Sequence, residues 1–221
     1  SVGGKVGVDH PLGKNLIGAF HQPAAVFIDP DTLTTLSEKE FRNGLAEVVK
    51  IAAALDRPFF DLLERKATQI RRKNPALIAR IISRSVALKA AVVERDELES
   101  GLRKSLNLGH TIGHALEAAS GYTLKHGEAI ALGMIAEARI AVRLGLLTTK
   151  DYDRLRNLLR RLKLPTRIPS IRNKRKFFSS ISTDKKSEGS VAKFVLLNGI
   201  GRSVIGVPVE RTLIEQSLSE Y

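Results

Sequence analysis

Three histidines and one glutamate are the side chains of this sequence best suited to binding a metal ion. His110 and His114 lie four residues apart in the segment NLGHTIGH, His126 follows in KHGE, and Glu47 lies upstream in GLAEVVK. The chain contains only five histidines, and these three fall in one short stretch. Imidazole nitrogens and a carboxylate are the usual ligands of a catalytic zinc, which keeps one coordination position open. These residues therefore predict a metal centre.

The spacing of the histidines leaves two arrangements open. His110 and His114 can both bind the metal as an HxxxH pair on one helix face. Alternatively, one of them binds the metal, and the other acts as an acid or base near neutral pH. For the carboxylate we favour Glu47 over Glu128, because Glu47 shares a polar helix face with Lys50. A carboxylate at the position of Glu128 can simply stabilise the N-terminus of a helix.

Isolated cations form a second group of candidate residues. Lys5, Lys14, Lys50 and Lys89 each occur singly, in apolar or glycine-rich surroundings. Together with Arg103 they would suit a substrate that carries both a phosphate and a carboxylate. The sequence contains no GxxxxGK[ST] and no GxGxxG motif, so this segment carries no nucleotide-binding fingerprint of its own.

Capping signals and apolar periodicity predict that helices position most of these residues. Ser37 and Glu40 form a capping box at the start of the helix that carries Glu47. Asn74 followed by Pro75 opens a helix that extends to residue 93. Further helices are expected over 126–144, from Thr148 or Thr149 onward, and over 209–219. One more helix is expected over 101–119, because polar residues recur there at steps of four and three on one face, namely Arg103, Asn107, His110, His114 and Glu117.

Short strands are predicted only towards the two ends of the chain. Residues 24–28 are expected to form a buried strand after a glycine-rich loop over 3–15. Residues 191–197 and 203–207 are expected to form two more strands. The predicted fold class is therefore mainly α, a multi-helical metal-binding domain with short β segments at both ends. We expect a loop and strand segment over 1–36 and a helical metal- and substrate-binding domain over 37–221.

The composition excludes several classes of protein. The absence of cysteine excludes disulfides and thiolate metal sites, and it fits a reducing cytoplasm, where we expect the protein. The net charge is +13, but aromatic residues make up only 5% and no nucleic-acid-binding module occurs. We therefore interpret the basic clusters at 71–73, 160–163 and 172–176 as solvated helix faces. The apolar run over 129–147 contains Glu137, Arg139 and Arg143, which favours a buried helix over a membrane span.

Several long motifs occur in register along the chain. They are SVGGK followed by PLGKN up to Phe20, GLAEVVK at 44–50, the segments 96–103 and 106–117, and HGEA at 126–129. In their order and spacing these motifs resemble the 3-dehydroquinate synthases, a family of sugar-phosphate cyclases. The resemblance continues into the tail at Asp184-Lys185-Lys186.

The resemblance implies a role for each matching residue. Glu47, His110 and His126 would hold a zinc or cobalt ion, His114 would be the non-ligating acid or base, and Glu99 would be its partner in proton transfer. The implied substrate-binding residues are Lys5, Asn15, Lys50, Lys89, Arg103, Asn107 and a lysine of the Lys185-Lys186 pair. The implied NAD contacts are Lys14, Thr32, Leu33, Thr34, Thr35 and Asn43.

The implied reaction converts 3-deoxy-D-arabino-heptulosonate 7-phosphate into 3-dehydroquinate and phosphate, a step of the shikimate pathway. NAD oxidises one carbinol transiently, phosphate is eliminated, the hydride returns, and an intramolecular aldol addition closes the carbocycle. The zinc would polarise the oxidised hydroxyl and carbonyl. The implied partners are a small anionic phosphorylated sugar acid and a second copy of the protein, with no role for nucleic acid or membrane.

One departure from the family pattern concerns the start of the chain. The sequence begins inside a motif, whereas the family carries an N-terminal nucleotide-binding α/β domain ahead of this point. We therefore expect the isolated chain to bind metal but to turn over poorly, because most of the wall of the NAD site would be absent. Two alternatives stay open. One is another sugar-phosphate cyclase or metal-dependent polyol dehydrogenase of the same superfamily, and the other is a non-enzymatic basic binding module.

Overall fold

Helices dominate the computed structural model, which describes residues 2–10, 13–181 and 191–219. The helices are α1 (Glu38–Leu55), α2 (Arg57–Arg71), α3 (Pro75–Arg95), α4 (His110–Ala119), α5 (His126–Arg143), α6 (Thr149–Arg161), α7 (Lys174–Ile181) and α8 (Arg211–Leu218). Two short 3₁₀ helices, Pro30–Thr34 and Leu102–Asn107, precede α1 and α4. The strands are β1 (Lys5–His10), β2 (Gly13–Phe20), β3 (Ala192–Leu197) and β4 (Ser203–Val209). The predicted fold class, mainly α with short β segments at both ends, is confirmed, and the division at residue 36 stays a prediction.

Helix α5 forms the centre of the core. Every residue from 129 to 138 is buried, including the charged Glu137, and α5 packs against α1, α4, α6, α8 and β3. This confirms the prediction of a buried helix in the longest apolar run. Among the described helices, none combines the length and the apolar character needed to cross a membrane. Helix α5 carries His126, and the helices that carry Glu47 and His110, α1 and α4, pack directly against it.

The predicted helix starts are confirmed by their capping bonds. The Ser37 hydroxyl accepts from the Glu40 N–H at 3.3 Å, the Asn74 side chain from the Leu77 N–H at 3.0 Å, and the Thr148 hydroxyl from the Asp151 N–H at 3.1 Å. Helices α2 and α7 were not predicted from the sequence. Only Asp56 separates α1 from α2, and its carboxylate accepts from the Phe59 N–H at 2.9 Å, so this boundary lacks the usual loop signal.

The prediction of a loop over 3–15 was wrong, because most of this segment belongs to an antiparallel hairpin. Lys5 in β1 pairs with Phe20 in β2, and Gly7 pairs with Gly18. Of the glycines that suggested a loop, Gly7 and Gly13 therefore lie within strands, whereas Gly3 and Gly4 lie in the turn before β1. The predicted strand over 24–28 was also wrong. These residues form no strand and are exposed, and Phe27 is 95% exposed. A strand requires a hydrogen-bonded neighbour, and in the described part of the chain the strands pair only as β1 with β2 and β3 with β4.

The prediction of one continuous helix over 101–119 was wrong as well. The segment folds as the 3₁₀ helix Leu102–Asn107 followed by α4, which begins only at His110. Gly109, between them, has φ +79°, a left-handed conformation that glycine adopts without strain and that interrupts a helix. Arg103 and Asn107 therefore do not share a helical face with His110 and must reach the site from a separate element.

Candidate metal centre and active site

Three candidate metal ligands converge from three different helices. Glu47 lies in the middle of α1, His110 is the first residue of α4, and His126 is the first residue of α5. Glu47 Oε1 lies 3.2 Å from His126 Nε2 and 3.7 Å from His110 Nε2, and one ligand atom from each residue lies within 4.8 Å of the others. Two ligands about 2.1 Å from a tetrahedral zinc are about 3.4 Å apart. The three side chains therefore fit a divalent cation.

Both candidate ligand histidines direct Nε2 towards Glu47 because an oxygen lies beside Nδ1. His110 Nδ1 is 3.2 Å from the Leu108 carbonyl, and His126 Nδ1 is 3.3 Å from the Glu117 carboxylate. Hydrogen bonds of this kind fix the tautomer and the ring orientation of a metal-binding histidine. This geometry could not be read from the sequence.

His114 lies at the edge of the same cluster. Its ring centroid is 5.1 Å from that of His110 and 5.9 Å from that of His126, and the residue is exposed. A second group of possible ligands, His114, Glu117 and His126, also has one atom of each within 4.8 Å of the others. Glu117 is engaged with His126 Nδ1, and His114 can be reached from solvent. The geometry therefore suits His114 for proton transfer beside the metal.

Burial and neighbouring charges shift the pKa values of three titratable groups in the site strongly. Burial acts to raise the pKa of Glu47, but the hydrogen bond with His126 and the charge of Lys50 hold it well below its usual range. Burial and the Lys50 charge lower the pKa of His110 to about 3. Hydrogen bonds to Glu117 and Glu47 raise the pKa of His126 to about 9. In the absence of a cation, His126 is therefore the positive partner of two carboxylates, whereas His110 is neutral and ready to bind metal.

Four predicted substrate-binding cations belong to one electrostatic cluster next to Glu47. Lys50, whose side chain is 7% exposed, donates to Glu47 Oε2 at 2.5 Å. Burial, followed by the charges of Arg103, Lys89 and Lys50, lowers the pKa of Lys5. Burial and the Lys50 and Arg103 charges likewise lower the pKa of Lys89, although the Glu47 charge opposes this. Such mutual influence requires that the four cations lie near one another, which suits an anionic ligand.

Glu99 and Asn107 connect this cluster to the 3₁₀ helix before α4. Glu99 forms an ion pair with Lys5, and its other oxygen accepts from Asn107 Nδ2 at 2.7 Å. Glu99 has φ +60°, a left-handed conformation that is uncommon for a residue with a side chain. The turn around it is held by Asp96, whose carboxylate accepts from the N–H groups of Ser100 and Arg103, each at 2.8 Å.

Arg103 is buried and bonded to the protein backbone. Its guanidinium donates to the Gly3 carbonyl at 2.6 Å and to the Glu97 carbonyl, and it lies 5.6 Å from the centre of the Phe20 ring. Arg103 thus fixes the start of β1 against the turn that carries Glu99. In this structure the side chain contributes its positive charge to the cluster while its hydrogen bonds hold the local fold.

Four of the predicted NAD contacts, Thr32, Leu33, Thr34 and Thr35, form a surface turn just before α1. Thr32, Thr34 and Thr35 donate their hydroxyls to backbone carbonyls within this turn, and Leu33 packs against the core. Asn43 Oδ1 is buried and has no hydrogen-bond partner, so it can accept a hydrogen bond from a ligand. Lys185 and Lys186 lie outside the described residues, as do the side chains of Lys14 and Asn15.

Two buried carboxylates near the site had no assigned role in the sequence analysis. Glu117 was recognised only as part of a polar stripe, and Glu137 only as a charge within an apolar run. Glu137 accepts from the N–H groups of Gly109 and Ile112 at the start of α4. The sequence offered one signal for each of them. Glu137 is a charged residue inside an apolar helix, and Glu117 is a carboxylate three residues after His114.

Comparison with known proteins gives the family. Residues 44–187 match the family described as 3-dehydroquinate synthase C-terminal, and residues 1–43 match 3-dehydroquinate synthase N-terminal. The chain belongs to the 3-dehydroquinate synthase family. A curated 3-dehydroquinate synthase from Acidithiobacillus ferrooxidans (strain ATCC 53993 / BNL-5-31) is 47% identical over 222 residues, an alignment that covers 100% of this chain and 61% of the relative. The chain therefore spans about three fifths of the length of the curated relatives that it matches.

Solved structures of related cyclases share the fold. A 2-epi-5-epi-valiolone synthase from Streptomyces hygroscopicus subsp. jinggangensis 5008, with NAD⁺ and Zn²⁺ bound, aligns with a TM-score of 0.88 at 29% identity, over 98% of this chain and 61% of that chain. A 2-deoxy-scyllo-inosose synthase complexed with carbaglucose-6-phosphate, NAD⁺ and Co²⁺ aligns with a TM-score of 0.86 at 28% identity, over 97% of this chain and 61% of that chain. The helical arrangement of this chain is thus that of the synthase family and its cyclase relatives.

Proposed function

We propose that this chain forms the metal- and substrate-binding part of a 3-dehydroquinate synthase. The complete protein would convert 3-deoxy-D-arabino-heptulosonate 7-phosphate into 3-dehydroquinate and phosphate. The observation that carries this proposal is the convergence of Glu47, His110 and His126 at distances suited to a divalent cation, beside the buried ammonium of Lys50. The 47% identity to a curated 3-dehydroquinate synthase supports the choice of reaction.

The proposed metal ligands are Glu47, His110 and His126, and the ion would be zinc or cobalt. When bound, the cation supplies Lewis acidity that polarises a hydroxyl or carbonyl oxygen of the substrate. The ligand set is one carboxylate and two imidazoles, which is typical of a catalytic site with one position left for substrate. The bound Zn²⁺ and Co²⁺ of two related cyclases support this assignment.

The protein's own residues would bind the anionic substrate and move protons around it. Lys5, Lys50 and Lys89 supply positive charge that is little screened where it is buried, which favours a phosphate and a carboxylate. Further substrate contacts are proposed for Asn15, Arg103, Asn107 and a lysine of the Lys185-Lys186 pair. His114 is exposed next to the metal ligands and would take up or release a proton. Glu99, bonded to Lys5 and Asn107, would act with it.

NAD would be the redox cofactor of the complete protein and would supply transient hydride transfer. Residues Lys14, Thr32, Leu33, Thr34, Thr35 and Asn43 are the proposed contacts. The unsatisfied oxygen of Asn43 supports this, because a buried acceptor without a donor is costly and a ligand can provide the donor. A second copy of the protein is proposed as a further partner, by analogy with the family.

A second candidate function is a different sugar-phosphate cyclase reaction. The structural similarity to a valiolone synthase and a deoxyinosose synthase favours this possibility, since those proteins have the same fold over nearly the whole chain. Their 28–29% identity is well below the 47% to a 3-dehydroquinate synthase. Product analysis of the complete protein with a panel of sugar phosphates separates the two, and formation of any carbocycle other than dehydroquinate would favour the second.

Metal analysis tests the proposed ligands directly. The wild-type chain is loaded with Co²⁺, and bound metal is measured beside Glu47→Ala and the matched variant His114→Ala. We expect about one ion per chain in the wild type, loss of metal in Glu47→Ala, and retention in His114→Ala, because His114 is proposed to be a non-ligand. Retention in Glu47→Ala, or loss in His114→Ala, would contradict the ligand set.

A further inference from the structure

Glu117 is a buried carboxylate that faces a proposed metal ligand from a neighbouring helix. Its side chain is 3% exposed, and its Oε2 lies 3.3 Å from Nδ1 of His126. The His126 side chain is 42% exposed and is the first residue of α5, where the helix itself restrains it least. Burying a carboxylate costs free energy unless hydrogen-bond donors compensate it. The imidazole of His126 is one such donor for Glu117.

The two proposed ligand histidines are supported in different ways. The Nδ1 atom of His110 faces the Leu108 carbonyl, two residues away in the same segment. The Nδ1 atom of His126 faces a carboxylate on another helix. A carbonyl fixes the tautomer and the ring orientation, whereas a carboxylate also brings a negative charge close to the cation. The support of His126 thus affects both the geometry and the charge balance of the site.

We propose that Glu117 is a positioning residue that holds the His126 ring with Nε2 directed at the metal and adds a second negative charge to the site. This inference rests on the proposed function, since it requires that His126 binds metal. Glu117 acts through His126 and does not touch the cation. Glu47 and Glu117 then lie on opposite sides of the His126 ring, so that the ring connects a ligand carboxylate to a supporting carboxylate.

The charge balance of the cluster supports this role. Lys50 lies 2.5 Å from Glu47 Oε2 and places a positive charge beside the proposed metal position, which disfavours a dication. Glu117 offsets that repulsion from the far side of His126. Removing the Glu117 charge should therefore weaken the binding of a divalent cation even when the ring stays in place.

Cobalt titration of the purified chain tests the proposal with three variants. Glu117→Ala removes both the hydrogen-bond acceptor and the charge. Glu117→Gln keeps an oxygen that can accept from His126 Nδ1 and removes only the charge. Glu128→Gln is the matched control, because Glu128 lies two residues from His126 but accepts from the Lys125 N–H at 3.2 Å. The readouts are the Co²⁺ dissociation constant, measured at several pH values and corrected for the protons released on binding, the visible absorption spectrum of bound Co²⁺, and the far-UV circular dichroism of each metal-free variant.

We expect the dissociation constant to rise about 10- to 100-fold in Glu117→Ala, as is typical when the carboxylate behind a metal-binding histidine is lost. Glu117→Gln should show a smaller rise with the wild-type Co²⁺ spectrum, and Glu128→Gln should stay within about twofold of the wild type, since it changes no contact of His126.

Three outcomes would overturn the proposal. Unchanged Co²⁺ affinity in Glu117→Ala would show that Glu117 does not support the site. A changed spectrum in Glu117→Gln, with a loss as large as in Glu117→Ala, would make Glu117 a ligand. Absence of Co²⁺ binding by the wild type would refute the proposed function itself. This outcome is distinguishable from failure of the Glu117 proposal, because it is seen in the wild-type titration before any variant is compared. If Glu117→Ala does not fold, the comparison of Glu117→Gln with Glu128→Gln still decides.

Discussion

The carboxylate of Glu137 accepts a hydrogen bond from the backbone N–H of Gly109, the residue before the helix that carries His110 and His114. Its other oxygen accepts from the Ile112 N–H at 3.2 Å, and the side chain is fully buried in the middle of α5. The first N–H groups of a helix have no partner within that helix, so an external acceptor is needed. Through Glu137, the central helix therefore fixes where α4 begins, and with it the position of His110.

Replacing Glu137 should reveal how the contribution of this buried carboxyl group to stability depends on pH. Burial raises the pKa of Glu137 to about 8, although the N–H groups of Gly109, Ile112 and Thr111 act against that rise. An acid with a raised pKa holds more protons in the folded than in the unfolded state between pH 4.5 and 8, so its contribution to stability falls as pH rises through that range. Glu137→Gln cannot ionise. We expect the free energy of unfolding of the wild type, relative to Glu137→Gln, to fall by up to about 1.4 kcal/mol per pH unit in this window and to level off above it.

Urea unfolding of both proteins at several pH values from 5 to 9 measures this difference. Glu137→Leu, which leaves the N–H groups of α4 without an acceptor, should lose more than about 2 kcal/mol relative to Glu137→Gln at pH 7. A difference between wild type and Glu137→Gln that does not vary with pH would mean that Glu137 ionises as it does in the unfolded chain.

Metal binding should release a proton from His126. Hydrogen bonds to Glu117 and then Glu47 raise the pKa of this imidazole to about 9, so at pH 7.5 the metal-free ring is protonated. A cation can bind Nε2 only after that proton leaves. We expect the release of about one proton for each Co²⁺ bound at pH 7.5, and an apparent affinity that rises about tenfold per pH unit below pH 9.

Calorimetric titration in buffers of different ionisation enthalpy counts the released protons. The variant His114→Ala serves as the control, because its proposed role is not that of a ligand and the proton count should stay the same. Co²⁺ binding without proton release at pH 7.5 would show that His126 is neutral before the metal arrives.

A lysine within the cation cluster should contribute more to substrate binding than an exposed lysine of the same charge. Burial and the charges of Lys50 and Arg103 lower the pKa of Lys89, which places its ammonium inside the cluster. Lys104 carries the same charge on the exposed side of the neighbouring 3₁₀ helix. We expect Lys89→Met to weaken binding of 3-deoxy-D-arabino-heptulosonate 7-phosphate by about 10-fold or more, and Lys104→Met to weaken it by less than about twofold.

Titration of the metal-loaded protein with this sugar phosphate at two salt concentrations measures both effects. A loss in Lys89→Met that matches the loss in Lys104→Met, and that disappears at high salt, would indicate general attraction by the net positive charge and not a defined site.

Local signals explain which parts of the fold could be predicted from the sequence. Ser37, Asn74 and Thr148 cap helices through bonds to residues three positions ahead, so the sequence contains all that those bonds need. The separation of Arg103 from His110 could not be predicted in the same way, because the stripe of polar residues has helical spacing whether or not Gly109 interrupts the helix. The N–H of Gly109 bonds to Glu137, a residue of another helix that the local sequence does not reveal.

The candidate site could likewise be predicted only where local sequence signals exist. The types and spacing of His110, His114 and His126 predicted a metal centre, and the polar helix face shared with Lys50 favoured Glu47 as its carboxylate. The resemblance to a family chose between the two arrangements of the histidines. The contact of His126 with Glu117 joins two helices, and no spacing rule predicts it. The prediction of a strand over 24–28 was wrong for a related reason, since an apolar run becomes a strand only where another strand lies beside it.

The close packing of α1 against α5 beside the proposed metal ligands gives a final prediction. Gly127 follows His126, and a Cβ atom added to it would lie 2.0 Å from the Asn43 carbonyl oxygen and 2.5 Å from Asn43 Oδ1 on α1. Asn43 is one helical turn before Glu47, so Gly127→Ala should push Glu47 away from His126. We expect a loss of about 1–3 kcal/mol in stability, as is typical for overpacking, together with weaker Co²⁺ binding. Gly44→Ala is the matched control on α1, because a Cβ there meets nothing within 4 Å.

Alanine is the better helix former, so Gly44→Ala should gain up to about 1 kcal/mol and keep wild-type Co²⁺ affinity. Thermal unfolding of the metal-free proteins and Co²⁺ titration separate the two effects. If Gly127→Ala bound Co²⁺ as tightly as Gly44→Ala, the spacing of α1 and α5 would not control the distance between Glu47 and His126. In that case the three ligands would be assembled by the cation itself, and the metal-free arrangement at 3.2 Å and 3.7 Å would not be needed for binding.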